Sequence, residues 1–250
     1  MEKQEKTGCG VNDNTASGEQ KKTALYGLYM AVVKKLDNDP LNKNRIQVEL
    51  PWIDNETEKL FWAHLSTFYA TGGAGSFFLP EPGDKVLVGF INGDLLCPVI
   101  LGGMYDESHN PPYKYEANNN KKAIVTRNNM RIELDEDKKT ITISTPGENR
   151  VELSDNGKYL KLTDENKNEI TMDNGGITFL SSKDVIMRAK GSIQMCADAD
   201  INWNAQKDAC LEGLNVNVRG KVSAIVKGDA TAELSASGQT TVKGAMVMIN

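Results

Sequence analysis

The side chains best suited to catalysis or metal binding are sparse in this chain, and their spacing argues against most chemistry. Repeat-strand enzymes such as acyltransferases or polysaccharide lyases need a catalytic histidine or converging carboxylates in a cleft. The two histidines, His64 and His109, both lie in the first half of the 250 residues. Residues 184–250 hold none, and their acids (Asp198, Asp200, Asp208, Glu212, Asp229, Glu233) are scattered between apolar positions, as a solvated face would place them. Cys9, Cys97, Cys196 and Cys210 form no C-x-x-C pair, and they read as reduced structural thiols rather than as a disulfide framework or a zinc site. The glycine-rich stretch Gly72-Gly73-Ala74-Gly75-Ser76 lacks the Gly-Lys-Ser/Thr of a phosphate loop and reads as a mobile loop. Trp52, Trp62, Phe68 and Tyr69 could stack nucleobases. A nucleic-acid groove should be basic, however, and the net charge of −5 resides entirely in residues 1–119, with 11 Lys+Arg against 16 Asp+Glu. Those aromatics therefore read as barrel core or an interface, and no nucleic-acid partner, cofactor or metal is expected.

What the sequence offers instead is a repeat. From Asp184 to Asn250, apolar pairs recur at positions i and i+2: Val185/Met187, Ile193/Met195, Ile201/Trp203, Ala209/Leu211, Val216/Val218, Ala224/Val226, Ala232/Leu234 and Thr240/Val242. The step is eight residues, with a single step of seven between Ala209 and Val216. Two residues after each pair stands a small residue: Ala189, Ala197, Ala205, Gly213, Gly220, Gly228, Ala236 or Gly244. Residues at i and i+2 of a strand point to one face. Each unit thus buries two side chains and then turns at a small residue. One unit cannot bury its own face, but stacked units can. The expectation is a three-sided β-prism, made by one coiling chain or by three intertwined chains, with Gly213, Gly220, Gly228 and Gly244 at its corners. Ile193, Met195, Ile201, Trp203, Val216, Val218, Val226, Leu234 and Val242 would form its core. At about 4.8 Å per strand, eight intertwined repeats would span roughly 40 Å.

The rest of the chain is also strand-like. Residues 1–22 are polar, carry no apolar h-region of a secretory signal, and read as a disordered arm or a truncation scar. No run of eighteen apolar residues exists. Residues 23–112 alternate in the manner of about five strands: Ala24–Val33, Arg45–Trp52, Phe61–Tyr69, Lys85–Ile91 and Leu95–Gly102. Pro80-Glu81-Pro82-Gly83-Asp84 marks a rigid turn and Asn92-Gly93-Asp94 a hairpin. Five strands without a helix suggest a small closed barrel of the oligonucleotide/oligosaccharide-binding (OB) type. Residues 113–122 read as a polar linker. Residues 123–183 return to strands at steps of seven to ten (Ile132/Leu134, Ile141/Ile143, Val151/Leu153, Leu160/Leu162, Ile170/Met172, Ile177/Phe179), expected to be broader turns of the same shaft.

These residues resemble a known family. Val48-Glu49-Leu50-Pro51-Trp52, then Phe77 through Phe90 (with Pro80, Gly83 and Asp84), then Gly93-Asp94, Pro98 to Gly102 and Asn110-Pro111-Pro112-Tyr113 look like the OB module of contractile-injection spikes. That family comprises the valine-glycine repeat protein G (VgrG) of type VI secretion and the baseplate spikes of contractile phages and tailocins. The octads look like its triple-stranded β-helix. The resemblance implies an all-β fold, an OB collar followed by an intertwined trimeric β-helix, and a homotrimer that acts mechanically rather than as an enzyme. It implies a spike that pierces the target-cell envelope, assembled in the cytoplasm and then ejected, or carried on a virion baseplate. Its partners would be hub, baseplate and inner-tube proteins, effectors, and a conical tip protein of the proline-alanine-alanine-arginine (PAAR) type docked on Met246, Val247, Met248, Ile249 and Asn250. The hub domain of VgrG and the lysozyme domain of one phage spike have no counterpart, so a hub would be a separate chain or part of a longer protein. The His-x-His iron motif of some short phage spikes is missing too. The alternatives are a phage or tailocin baseplate spike, and a single-chain β-helix carbohydrate-active enzyme.

Overall fold

A computed structural model describes residues 24–53 and 59–249. The expected arm 1–22, Cys9 and Asn250 lie outside the described residues. Period-two alternation builds the first unit. Ala31 and Val33 on β1 (Leu28–Lys35), Ile46 and Val48 on β2 (Ile46–Glu49), and Ala63 on β3 (Leu60–Leu65) all point inward. So do Val86, Val88 and Phe90 on β6 (Lys85–Phe90) and Ile100 on β7 (Pro98–Gly103). With Leu50, these ten side chains make the core. The strands close in the order β1-β2-β3-β7-β6, every pair antiparallel except β3 with β7. This is an OB-type barrel, as the alternation predicts. Its interior is small and mostly aliphatic, with Phe90 the one aromatic among the ten.

Several local expectations change. Of the two readings for the aromatics, core and interface, Trp52, Phe68 and Tyr69 lose the first, being exposed, and Trp62 is half-buried. Residues 70–75 form a short hairpin, β4 (Ala70–Thr71) with β5 (Ala74–Gly75), whose tip needs Gly73 at a φ of 76°. Leu95 and Leu96 precede β7 in a tight turn instead of joining it; Cys97 N–H donates to the Asp94 carbonyl at 2.9 Å. Cys97 is disulfide-bonded, against the expectation of four reduced thiols, whereas Cys196 and Cys210 are free and exposed.

The second half of this unit departs most from expectation. Residues 121–180 form a seven-stranded antiparallel meander in sequence order: β8 (Lys121–Val125), β9 (Arg131–Asp135), β10 (Thr140–Ser144), β11 (Arg150–Ser154), β12 (Tyr159–Thr163), β13 (Glu169–Asp173) and β14 (Gly176–Leu180). They are hairpins, not coils of a shaft. Five-residue strands alternate with loops of four and five residues, so the apolar pairs step by nine and ten, then by seven at the final tight turn. The five-residue loops repeat one design. Thr126, Thr145 and Asp164 each donate a backbone N–H four residues ahead, and Asn129, Glu148 and Lys167 take a positive φ. Tyr113 donates to Glu133, which also pairs with Lys121; Lys121 reaches Asp135 at 3.0 Å. This knot ties the segment after the barrel to the first two strands.

Asp39 illustrates how the polar loops are held. Its carboxylate accepts from the Leu41, Lys43 and Arg45 amides and pairs with the Arg45 guanidinium at 2.6 Å. The Arg45 hydrogen bond holds its pKa well below the usual carboxylate range. A depressed folded pKa contributes stability that is present above the unfolded value of about 3.9 and lost as pH falls further. Replacing Asp39 with Asn should lower the melting temperature at pH 7 and shrink the difference between pH 7 and pH 3. Thermal unfolding at both values checks this, and an unchanged acid limb would contradict it.

Candidate functional site

The sheet is two-faced. Across its registers, Ile124, Ile132, Ile143, Val151, Leu162, Ile170 and Phe179 form one continuous apolar ladder. Leu134, Ile141, Leu153, Leu160, Met172 and Ile177 form a second beside it on the same face. Two residues within a strand are about 7 Å apart and seven strands span about 30 Å, so this is a narrow, long strip. No element among the described residues covers it: Ile132, Ile143, Leu153 and Leu162 are all exposed. The opposite face is polar and internally neutralised, with Lys161 on Glu169 at 2.6 Å, Arg150 on Glu152, and Tyr159 donating to Glu152 at 2.7 Å.

The octads follow with a visible backbone signature. Sharp bends fall at residues 190–191, 198–199, 206–207, 214–215, 221–222, 229–230, 237–238 and 245–246. The step is eight, with a single seven where the sequence drops a residue, and each bend directly follows the small residue. One further bend at 182–183 carries the series back by one repeat, to Ile177/Phe179 and Ser181. Among the described residues, no strand pairing occurs after Leu180. The candidate core residues Ile193, Met195, Ile201, Trp203, Val216, Val218, Val226, Leu234 and Val242 are all exposed, from 49% at Val216 to 93% at Val226. Met246, Val247, Met248 and Ile249 are exposed as well.

The four corner glycines are not equivalent. A Cβ on Gly220 would overlap the Ser223 carbonyl, and one on Gly228 the Thr231 carbonyl. At Gly244 the nearest atom, the Met246 carbonyl oxygen, would be 3.1 Å away, and at Gly213 the Asn215 carbonyl oxygen 3.6 Å. Two corners therefore demand glycine, while the others need only a small residue.

The motif residues of the barrel serve its turns. Gly83, at a φ of 100°, donates to the Val33 carbonyl at 2.9 Å, and Val33 N–H returns a bond to the Asp84 carbonyl. The Asp84 carboxylate accepts from the Glu81 amide at 2.8 Å, closing the turn that begins at Pro80. Gly93, at a φ of 75°, lies so close to the Tyr26 ring that a Cβ would meet it at 2.9 Å. Asp94 caps the next turn by accepting from Leu96 N–H at 3.0 Å. His64 is a surface residue, and His109 Nδ1 lies 3.0 Å from Asp106 in a loop. An apolar hollow of about 550 Å³ on the barrel is lined by Leu25, Trp52, Phe61, Trp62, Leu95 and Leu96. Its charged neighbour, Arg45, is already taken by Asp39. No group of three or more metal-ligating side chains occurs among the described residues, and no helix is long and apolar enough to cross a membrane.

Residues 29–105, which span the barrel, match the family described as the type VI secretion system/phage-baseplate injector OB domain. Over that stretch the chain is similar to the injector OB domains of this family. It is 31% identical over 88 residues to the type VI secretion system spike protein VgrG3 of Vibrio cholerae, covering 34% of this chain and 9% of that protein. It is 27% identical over 106 residues to the spike protein VgrG4b of Pseudomonas aeruginosa, covering 40% and 13%. The actin cross-linking toxin VgrG1 of Vibrio cholerae matches at 28% over 85 residues, 8% of its length. The matches thus span about a tenth of these much longer proteins.

Adding one methyl at a strained corner of this chain costs about 1–3 kcal/mol when backbone must shift. Gly220→Ala and Gly228→Ala should each lower the unfolding temperature clearly, and Gly213→Ala should leave it nearly unchanged. Equal effects at all three positions would contradict the distinction.

Proposed function

We propose that this chain is a non-enzymatic, envelope-piercing spike of a contractile injection machine, acting as a homotrimer. The observation that carries this reading is the strip and octad series on an injector OB domain. Of the thirteen apolar side chains of the strip, ten are exposed and three half-buried, and eight apolar pairs beyond it are exposed in a single chain. Burying what remains exposed of one such Ile or Leu contributes roughly 1–2 kcal/mol. Over the strip this sums to about 13 kcal/mol or more, enough to match the 4–15 kcal/mol that association is estimated to cost. A strip only two residues wide suits a three-sided prism, where three strips meet on one axis, with the paired ion ladders outside.

In this reading the octads continue the prism as a triple-stranded β-helix. Gly213, Gly220, Gly228 and Gly244 turn its corners, and the apolar pairs, Trp203 included, fill its axis. Each backbone group then pairs across copies, which leaves few free edges and makes unfolding slow, since three chains must unthread. The apolar end at Met246, Val247, Met248 and Ile249 is the docking platform for a PAAR-type tip. Hub, baseplate, tube and effector partners follow from the same placement, as does ejection from the cytoplasm of the producing cell or display on a virion. The OB family spans both secretion and phage machines, so this reading covers both.

Light scattering should give three times 27.4 kDa, with a band that resists detergent without boiling. Leu153→Asp, on the strip, should abolish the trimer; Thr142→Asp, on the polar face, should leave it intact. A monomeric native protein, or an intact trimer in the Leu153→Asp variant, would overturn the reading.

A further inference from the structure

Cys97 sets itself apart from the cysteines of the octads. It is buried in the turn ahead of β7, where its N–H donates to the Asp94 carbonyl and its own carbonyl accepts from Ile91 N–H at 3.1 Å. It is disulfide-bonded, while Cys196 and Cys210 are free. The chain has four cysteines, which leaves Cys9 as the partner within the chain. The course of the backbone agrees. The chain enters the barrel against this same turn: Leu25 N–H donates to the Gly93 carbonyl at 3.1 Å, and a Cβ on Gly93 would stand 3.2 Å from the Ala24 methyl. Fourteen residues stand between Cys9 and Ala24, a length that extends to roughly 50 Å. Cys97 is only four residues beyond Gly93, so the return to it is short. A disulfide is uncommon in a protein made in a reducing compartment, and one found there is usually transient and redox-responsive.

We infer that Cys9 and Cys97 form a redox modification site, a tether that is open in reducing surroundings and closes in oxidising ones, pinning the N-terminal arm to the turn before β7. Closure is exchange with a low-molecular-weight disulfide such as glutathione disulfide. The Cys9 thiolate attacks one glutathione sulfur, forms a mixed disulfide and releases the first glutathione thiolate. The Cys97 thiolate then attacks the Cys9 sulfur, and the second glutathione thiolate leaves. The two protein thiols are oxidised, glutathione disulfide is reduced, and the two released thiolates take up the two protons. The bond itself does not depend on the spike reading. Its timing does: open where the machine is assembled, closed once the chain has been ejected.

The test equilibrates the whole chain in a buffer dominated by reduced glutathione or by its disulfide, blocks the remaining thiols, and maps tryptic peptides by mass. In the oxidising buffer the peptide Thr7–Lys21 should stay joined to Val86–Lys114. In the reducing buffer both peptides should carry a blocked cysteine. Cys97→Ser should remove the joined peptide under both conditions. Absence of the joined peptide in the oxidising buffer, or chains joined to one another through Cys97, overturns the tether. A joined peptide that survives in reduced glutathione makes the bond a permanent staple and overturns the switch. Light scattering of the reduced protein reports the trimer separately: a monomer there overturns the spike reading, and with it the timing, while the mapped bond stands or falls on the peptides alone.

Discussion

A peptide group withdrawn from water has to find a hydrogen-bond partner, and the final quarter of this chain, among the described residues, forms no strand pairing of its own. Residues 184–249 bend every eight residues, carry two apolar side chains per segment, and form no strand ladder among the described residues. Isolated, such a chain would have no reason to hold its shape. The regular bends make sense as a template for something that lies against them. The one-sided sheet before them has the same character in milder form: its backbone is paired internally, but its apolar ladders are open. Only the barrel closes on itself in both respects, with a complete ring of strands and a buried core. Along the chain, self-sufficiency declines step by step.

The barrel was legible in sequence because its signals are local. Alternation of the kind in Arg45–Leu50 or Lys85–Phe90 states which face is inward, and the glycines at 83 and 93 mark positive-φ turns that few other residues adopt. The octads were legible for a similar reason, a strict period with a strict small residue. The meander was not. A five-residue strand followed by a four- or five-residue loop produces nearly the same spacing as a coiling strand, and periodicity alone does not say whether the chain turns back or turns onward. The clue was available in hindsight: steps of nine and ten alternate, as the two sides of a hairpin ladder with different loops would require.

Smaller misreadings share another cause. Leu95 and Leu96 are apolar next to a strand, yet Asp94 locks them into a turn through its carboxylate and carbonyl. The aromatic residues Trp52, Phe68 and Tyr69 suggested core or interface by type, and they stand outside the barrel strands, exposed. The corner glycines looked alike in sequence, and only the approach of the Ser223 and Thr231 carbonyls separates the two that demand glycine. The phrases that carried the resemblance to injector proteins include the turn residues Pro80, Gly83, Asp84, Gly93 and Asp94. All except Pro80 have a specific turn role in the structure, with φ values, caps or close approaches that explain the residue type.

The alternating loops of the meander set a rule for length. Because each strand reverses the last, its loops come in unlike pairs, and a hairpin unit of nineteen residues restores both the direction and the inward face. Gain or loss of one strand alone would bring the wrong loop type to each end of all that follows. The sheet therefore changes in increments of two strands, about 10 Å, whereas the octad series changes by one bend of eight residues. A lineage carrying this architecture has a coarse and a fine adjustment of length, and both leave the barrel sequence untouched.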